Sequence, residues 1–254
     1  MTINVFIQAR IGSTRLPGKV LKKIVNKTIL ELISERVSRI KNIQNVVITT
    51  GDVEKNLEVI KEAQRLHINY FAGSEENVLD RFYRASLQYP SDFIIRITAD
   101  CPLIDFDLIN HAIEVFHESN IDILSISRKK TFPHGFEFEI FRKTALETAW
   151  NDMLSQFASY EKFESVFIPP TKYMLEKKKF KNYDLVNNVD LSHIRITLDY
   201  PEDFVLIKKI YESLYFKNKN FGLKEILKLF EKEQDLYAIN KKYVDNVSSI
   251  SIEK

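Results

Sequence analysis

Two places in the chain gather the residue types that handle phosphate. The first reads Gln8-Ala9-Arg10-Ile11-Gly12-Ser13-Thr14-Arg15-Leu16-Pro17-Gly18-Lys19. No acidic residue occurs before Glu31, but Arg10, Arg15, Lys19, Lys22, Lys23 and Lys27 all do. Glycines let a backbone approach a ligand closely and present successive N–H groups, and three fixed cations beside such a loop suit a polyphosphate. The spacing is neither that of a P-loop nor GxGxxG. A βα turn that merely exposes basic side chains is the plain alternative. The second place is an internal echo: residues 94–102 read IIRITADCP and residues 193–201 read HIRITLDYP. Each is a β-branched run ending in Asp, one residue, then Pro, which stops a strand and suits a first helical turn. If both runs belong to one parallel sheet, Asp100 and Asp199 reach the same ligand-binding edge. Two hard carboxylates facing a triphosphate make a Mg²⁺ site, with phosphate oxygens and waters completing the octahedron. The alternative is that each Asp caps the helix that follows it.

Other groups carry weaker signals. Gly73 and Ser74 precede Asp80-Arg81 on an expected helix, where the last two could equally form a surface pair. Arg96 and Arg195 hold matching positions in the two echoes. Each could bind a phosphate or carboxylate, or pair with an internal acid. Pro133-His134-Gly135 is a turn, and the alternation after it sets Glu137 and Glu139 on one face, suited to sugar hydroxyls or simply to solvent. Cys101 beside Asp100 reads as a buried structural thiol, with no signature linking it to His193. His67, His111 and His117 have no metal-ligand spacing. The Lys177–Lys179 run reads as a solvated face.

These groups need elements to hold them. Residues 3–8, 45–50, 68–73 and 91–100 read as strands, alternating with helical patterns over 28–40, 54–66, 75–89 and 107–119. Such alternation with short connections predicts an α/β, mostly parallel, doubly wound sheet with its βα loops at one end. After about residue 120 the pattern changes. Residues 121–127, 135–141 and 193–199 read as strands, 142–168 as helix, and 201–242 as a run of helices. Residues 128–185 read as an inserted subregion for substrate shape or a dimer contact, within one domain spanning 1–254.

Composition narrows the class. The 254 residues carry 37 Lys and Arg against 35 Asp and Glu, a net charge of +2, which argues against nucleic acid or a membrane surface as partner. One cysteine rules out an intramolecular disulfide. With no apolar run long enough for a span and no signal-peptide pattern, a cytoplasmic location is expected.

The opening stretch from Gln8 to Leu21 resembles that of the spore-coat polysaccharide cytidylyltransferases, relatives of CMP-KDO synthetase and acylneuraminate cytidylyltransferase. The likeness continues through Gly73-Ser74 to Asp80-Arg81, through Arg96-Ile97-Thr98-Ala99-Asp100-Cys101-Pro102, and through Asp190 to Asp199-Tyr200-Pro201-Glu202-Asp203. It implies a Rossmann-like, GT-A type nucleotidyltransferase fold, CTP as donor and Mg²⁺ as metal. It also implies Arg10, Ser13 and Lys19 on the triphosphate and Asp100 and Asp199 on the metal, and commonly a homodimer. Ala99 stands where the family usually has Gly. Phe163-Glu164-Ser165-Val166 stands in place of an Arg-Glu-His-Val pattern, and Thr98 where KDO-activating relatives carry Gln. The expected reaction moves CMP from CTP to an acidic, α-keto-acid sugar and releases pyrophosphate. The catalytic candidates are Arg10, Lys19 and Asp100. The nucleotide-binding candidates are Gln8, Ala9, Arg10, Gly12, Ser13, Arg15, Lys19, Gly73, Ser74, Arg81 and Thr98. Arg96, His134, Glu137, Glu139 and Arg195 are the substrate-binding candidates. A GT-A type glycosyltransferase and a catalytically silent nucleotide-binding subunit are the rivals.

Overall fold

The computed structural model describes residues 1–244. The single domain expected over 1–254 is therefore described up to Val244; residues 245–254 lie outside it. Strands are β1 (Ile3–Gln8), the short pair β2 (Lys23–Ile24) and β3 (Lys27–Thr28), β4 (Ile43–Thr50), β5 (Asn69–Ala72), β6 (Phe93–Thr98), β7 (Ile123–Ser125), β8 (Phe138–Arg142) and β9 (Asn182–Asp184). Helices are α1 (Ile29–Val37), α2 (Leu57–Arg65), α3 (Val78–Gln88), α4 (Phe106–Glu118), α5 (Lys143–Leu154), α6 (Tyr160–Glu164), α7 (Lys172–Glu176), α8 (Pro201–Leu214) and α9 (Leu223–Lys232). Seven strands form one sheet in the order β5-β4-β1-β6-β8-β7-β9.

The first four in that order are parallel, and β8 runs antiparallel between β6 and β7. Period-two alternation sends each strand's side chains to opposite faces. Val5 and Ile7 join one apolar layer with α1, α4, α8 and α9, while Phe6 joins another with α3, α5 and α7. A strand covered on both sides is buried residue after residue, as Ile3–Ile7 are; Ile3, Val5, Phe6 and Ile7 are apolar, and Asn4 is satisfied by donating to the Tyr89 carbonyl at 2.9 Å. In the second layer the indole of Trp150, on α5, stacks on Tyr83 of α3 at 4.2 Å and donates to the buried carboxylate of Asp80 at 2.7 Å.

Sequence order reverses beside β1: the chain goes to β4 on one side and later to β6 on the other. That is a topological switch point, where α/β sheets leave a crevice beyond the carboxyl ends of their strands. Gln8 is paired with Thr49 on one side and Thr98 on the other, so the loops after β1, β4 and β6 share this edge.

One expectation needs correction. Residues 193–199 are not a sheet strand. The free side of β6 is taken by β8, so this segment runs extended past the end of the sheet. Among the described residues its one β-bridge is the isolated pair of Arg195 with His134. Its apolar side chains Ile194, Ile196 and Leu198 are buried all the same, which produced the strand-like pattern. The close approach requires Gly135: at φ 120°, a Cβ there would lie 2.5 Å from the backbone of Ile196 and Thr197. Residues 128–185, read as an inserted subregion, supply β8 and β9 to the sheet.

Candidate active site

The loop after β1 leaves the sheet at Ala9, whose N–H still bonds Thr49. It is pinned from the neighbouring β4 loop by Asn56, whose amide oxygen accepts from Ile11 N–H at 2.9 Å. The Ser13 hydroxyl oxygen accepts from Leu16 N–H, tightening the turn before Gly18 and Lys19. A polar cavity of about 250 Å³ opens beside this loop. Gln8, Ala9, Arg10, Gly12, Ser13, Arg15, Lys19, Thr98, Asp100 and Asp199 all line it.

Asp100 follows β6, and Asp199 arrives on the extended segment that crosses the sheet end. Leu198 N–H and the Thr197 hydroxyl both donate to the Asp100 carbonyl, at 2.8 and 3.0 Å, and this brings the two echoes together. The ammonium of Lys19 lies 3.0 Å from Asp199 Oδ1 and 3.7 Å from Asp100 Oδ2, and also donates to the Leu198 carbonyl. Arg15 reaches Asp199 Oδ1 at 3.1 Å and lies over the Tyr200 ring. Arg10 is more exposed, 3.8 Å from Glu75. Partial burial pushes the Asp100 carboxyl up, but Lys19, hydrogen bonds from Thr98 and Cys101, and Arg96 outweigh it and hold the carboxyl below its ordinary range. Asp100 is therefore ionised at neutral pH, a hydrogen-bond acceptor rather than an acid.

A second cavity, about 100 Å³, is lined by His134, Glu137 and Arg195 together with Ser127, Lys130 and Phe132. Glu137 accepts from Gly135 N–H at 2.7 Å, and the Cys101 thiol lies 3.6 Å from both Glu137 and Asp100. Cys101 thus links the two cavities. Burial and then the two carboxylates push its thiol well above the usual range, so it stays protonated, consistent with a structural thiol. Burial also raises Glu137, with Asp100 adding to it against the opposing effect of His134.

Several candidates are occupied elsewhere. Arg96 bonds Glu139 at 2.7 Å and the Gln8 side chain at 3.0 Å, so Arg96 and Glu139 are each other's partners and neither lines the 100 Å³ cavity. Arg195 lines that cavity but is only 4% exposed and is clamped by Asp203 at 3.0 and 2.8 Å, with His134 Nδ1 3.1 Å away. Both arginines take the internal-acid alternative. Gly73, Ser74 and Arg81 do not line the 250 Å³ cavity. Gly73 extends the β4–β5 ladder, and a Cβ there would press on Phe71 and Arg81. Ser74 donates to the Glu164 carbonyl, and Arg81, 1% exposed, donates to the Ser74 carbonyl. Burial pulls Arg81 down to about 10.

Three residues near the site escaped the sequence reading. Asn56 and Glu75 brace the first loop, and Asn240 bonds Asp203 from the far end of the chain. The position of Asn56 just beyond a strand's carboxyl end was the available signal; nothing local marks Asn240.

A Rossmann-like sheet whose switch point carries a basic loop, facing two carboxylates across a polar cavity, defines a nucleotidyltransferase. Residues 4–243 match the family described as Cytidylyltransferase, and the chain belongs to that family. It is 33% identical over 243 residues to an uncharacterized protein of Methanocaldococcus jannaschii, covering 94% of this chain and 95% of that one. It is 27% identical over 217 residues to the spore coat polysaccharide biosynthesis protein SpsF of Bacillus subtilis, covering 82% and 85%. Against the 3-deoxy-manno-octulosonate cytidylyltransferase of Geobacter sulfurreducens it is 25% identical over 254 residues, covering 84% and 100%. A solved cytidylyltransferase from Leptospira borgpetersenii superposes with a TM-score of 0.80 at 29% identity, covering 92% of this chain and 96% of that one. The protein is thus a CTP-dependent nucleotidyltransferase. No helix among the described residues is long and apolar enough to cross a membrane.

Proposed function

We propose that the protein transfers CMP from CTP to an acidic, α-keto-acid sugar, releasing pyrophosphate, with Mg²⁺ held by Asp100 and Asp199. The observation that carries this reading is the convergence of both carboxylates on one cation, Lys19, at the mouth of the basic loop. Oxygen donors of this kind fit a hard divalent ion. Among the described residues no group of three or more His, Cys, Asp or Glu side chains could hold a metal ion by itself, so phosphate oxygens and waters would supply the remaining ligands. When bound, the metal would supply charge neutralisation at the phosphates.

The chain's own residues do the rest. Backbone N–H groups of the Gly12-Ser13 turn and the Arg10, Arg15 and Lys19 cations hold the triphosphate and stabilise charge on departing pyrophosphate. The acceptor sits in the cavity with His134 and Glu137, one thiol away from Asp100, where its hydroxyl can approach the α-phosphate in line. Lys130, on the rim of that cavity, is a cation suited to a sugar carboxylate. The acid preference also has support in the name of the Geobacter relative. Cytoplasmic residence and a homodimer belong to the same reading. The exposed Val166, Phe167 and Tyr183 of residues 128–185 support the dimer, and light scattering tests it.

The deciding experiment is a pyrophosphate-release screen of the four nucleoside triphosphates against KDO, neuraminate-like and legionaminate-like acids. Release with CTP and one of the acids supports the reading. Release with no pair, or only with a triphosphate other than CTP, overturns it.

A further inference from the structure

Asp203 is completely buried, and every donor around it comes from the segment that carries Asp199 or from the end of the chain. Its Oδ1 accepts from Arg195 Nε at 3.0 Å and from Asn240 at 2.7 Å. Its Oδ2 accepts from Arg195 at 2.8 Å and from the backbone N–H groups of Asp199 and Tyr200, both at 3.0 Å. Asn240 uses the same amide nitrogen to bond the Arg195 carbonyl at 3.0 Å. Arg195 in turn lies 3.6 Å from Asp199 Oδ2, leaving Oδ1 to Lys19 and Arg15. The Tyr243 ring stacks on Tyr200 at 3.8 Å, nearly parallel, and its hydroxyl donates to Glu202, which holds residues 240–243 over the loop.

Capping α8 accounts for the bond from Tyr200 to Asp203, but not for Asn240, which lies 37 positions beyond Asp203 and outside that helix. A fully satisfied buried network fixes the geometry of what it holds. Here it divides the two oxygens of Asp199, one toward Arg195 and one toward the nucleotide cavity. We propose that Asn240 and Asp203, acting through Arg195, are positioning residues that aim the Asp199 carboxylate at the metal and phosphates. This rests on the assignment of Asp199 as a metal ligand.

The test uses the full chain and needs no acceptor sugar. Mn²⁺ binding in the presence of CTP is measured by electron paramagnetic resonance for the native protein, Asp199→Asn and Asn240→Ala. CTP binding without metal and thermal unfolding are measured alongside. Asn240→Ala is expected to weaken Mn²⁺ binding by about tenfold, the usual scale for outer partners of metal ligands, with metal-free CTP binding unchanged. A purely structural role would lower the unfolding temperature and leave Mn²⁺ affinity intact. Native Mn²⁺ affinity in Asn240→Ala, with binding lost in Asp199→Asn, overturns the positioning role and leaves the metal assignment standing. Native affinity in Asp199→Asn removes both. Should Asn240→Ala not fold, Tyr243→Leu decides by the same criteria, since it releases the segment without touching the buried carboxylate.

Discussion

Replacing Lys19 with alanine separates two effects that share one ammonium group. Lys19 is 13% exposed and lies 3.0 and 3.7 Å from the Asp199 and Asp100 carboxylates. Each pair is worth roughly 5 kcal/mol at an effective dielectric near 20, less what solvent screens at Asp100, which is 32% exposed. Transfer loses a group that meets charge on the leaving pyrophosphate, so kcat/KM should fall about 10²-fold or more, some 2.7 kcal/mol. Metal binding moves the other way. With the competing ammonium gone, Mn²⁺ should bind the nucleotide-free protein about tenfold more tightly if ~1.4 kcal/mol of the repulsion survives screening. Asp100 should respond as well, because Lys19 is the largest influence holding its carboxyl down. Its folded pKa lies below the unfolded value, so the stabilisation it gives is complete above the ordinary aspartate range and is lost as pH falls through the folded value. In Lys19→Ala the folded value moves up toward the unfolded one, so this contribution shrinks and acidification removes less of it. Pyrophosphate release, Mn²⁺ titration by electron paramagnetic resonance and acid unfolding by circular dichroism read the three effects. Near-normal turnover, or weaker Mn²⁺ binding, would refute the reasoning.

Gly135→Ala should displace residues 196–197 and destabilise the fold by about 1–3 kcal/mol, the cost of backbone strain at a positive φ, as read by urea unfolding. Arg96→Met leaves Glu139 buried without its partner and should cost about 3–5 kcal/mol in the same assay. Cys101, buried and held protonated, should resist iodoacetamide at pH 8 in the native protein and react once unfolded; rapid native labelling, read by mass spectrometry, would contradict its placement.

The parallel half of the sheet was legible because its strands are short apolar runs separated by amphipathic helices, and β1, β4, β5 and β6 fall where those runs lie. That the loops after β1 and β6 share the 250 Å³ cavity was legible for a related reason: loops after parallel strands must meet at one edge. The second echo misled in one respect. Alternating burial marks any extended segment packed on a core, whether or not it bonds into a ladder, so Ile194, Ile196 and Leu198 look like a strand without being one. Asp199 reached the predicted place by a different route. The roles of Arg96 and Arg195 stayed open because an arginine with a buried carboxylate partner and one facing a ligand look alike in one dimension. Glu139 lies 43 residues from its arginine. Asp203 lies only eight residues from Arg195, but it also belongs to the helix start.

The chain has a single tryptophan, and the fold isolates it in the layer behind the catalytic edge. Trp150 leans on Tyr83 and Asp80 of α3, the helix that begins directly after the turn carrying Ser74 and Asn77. Its ultraviolet emission therefore comes from one known spot. No residue of the front cavity is that indole, which packs on Tyr83 of α3 and on Phe163 of α6, so a change in its emission on adding CTP reports movement relayed through those helices. The native protein thus carries its own optical gauge of how far nucleotide binding is felt through the sheet.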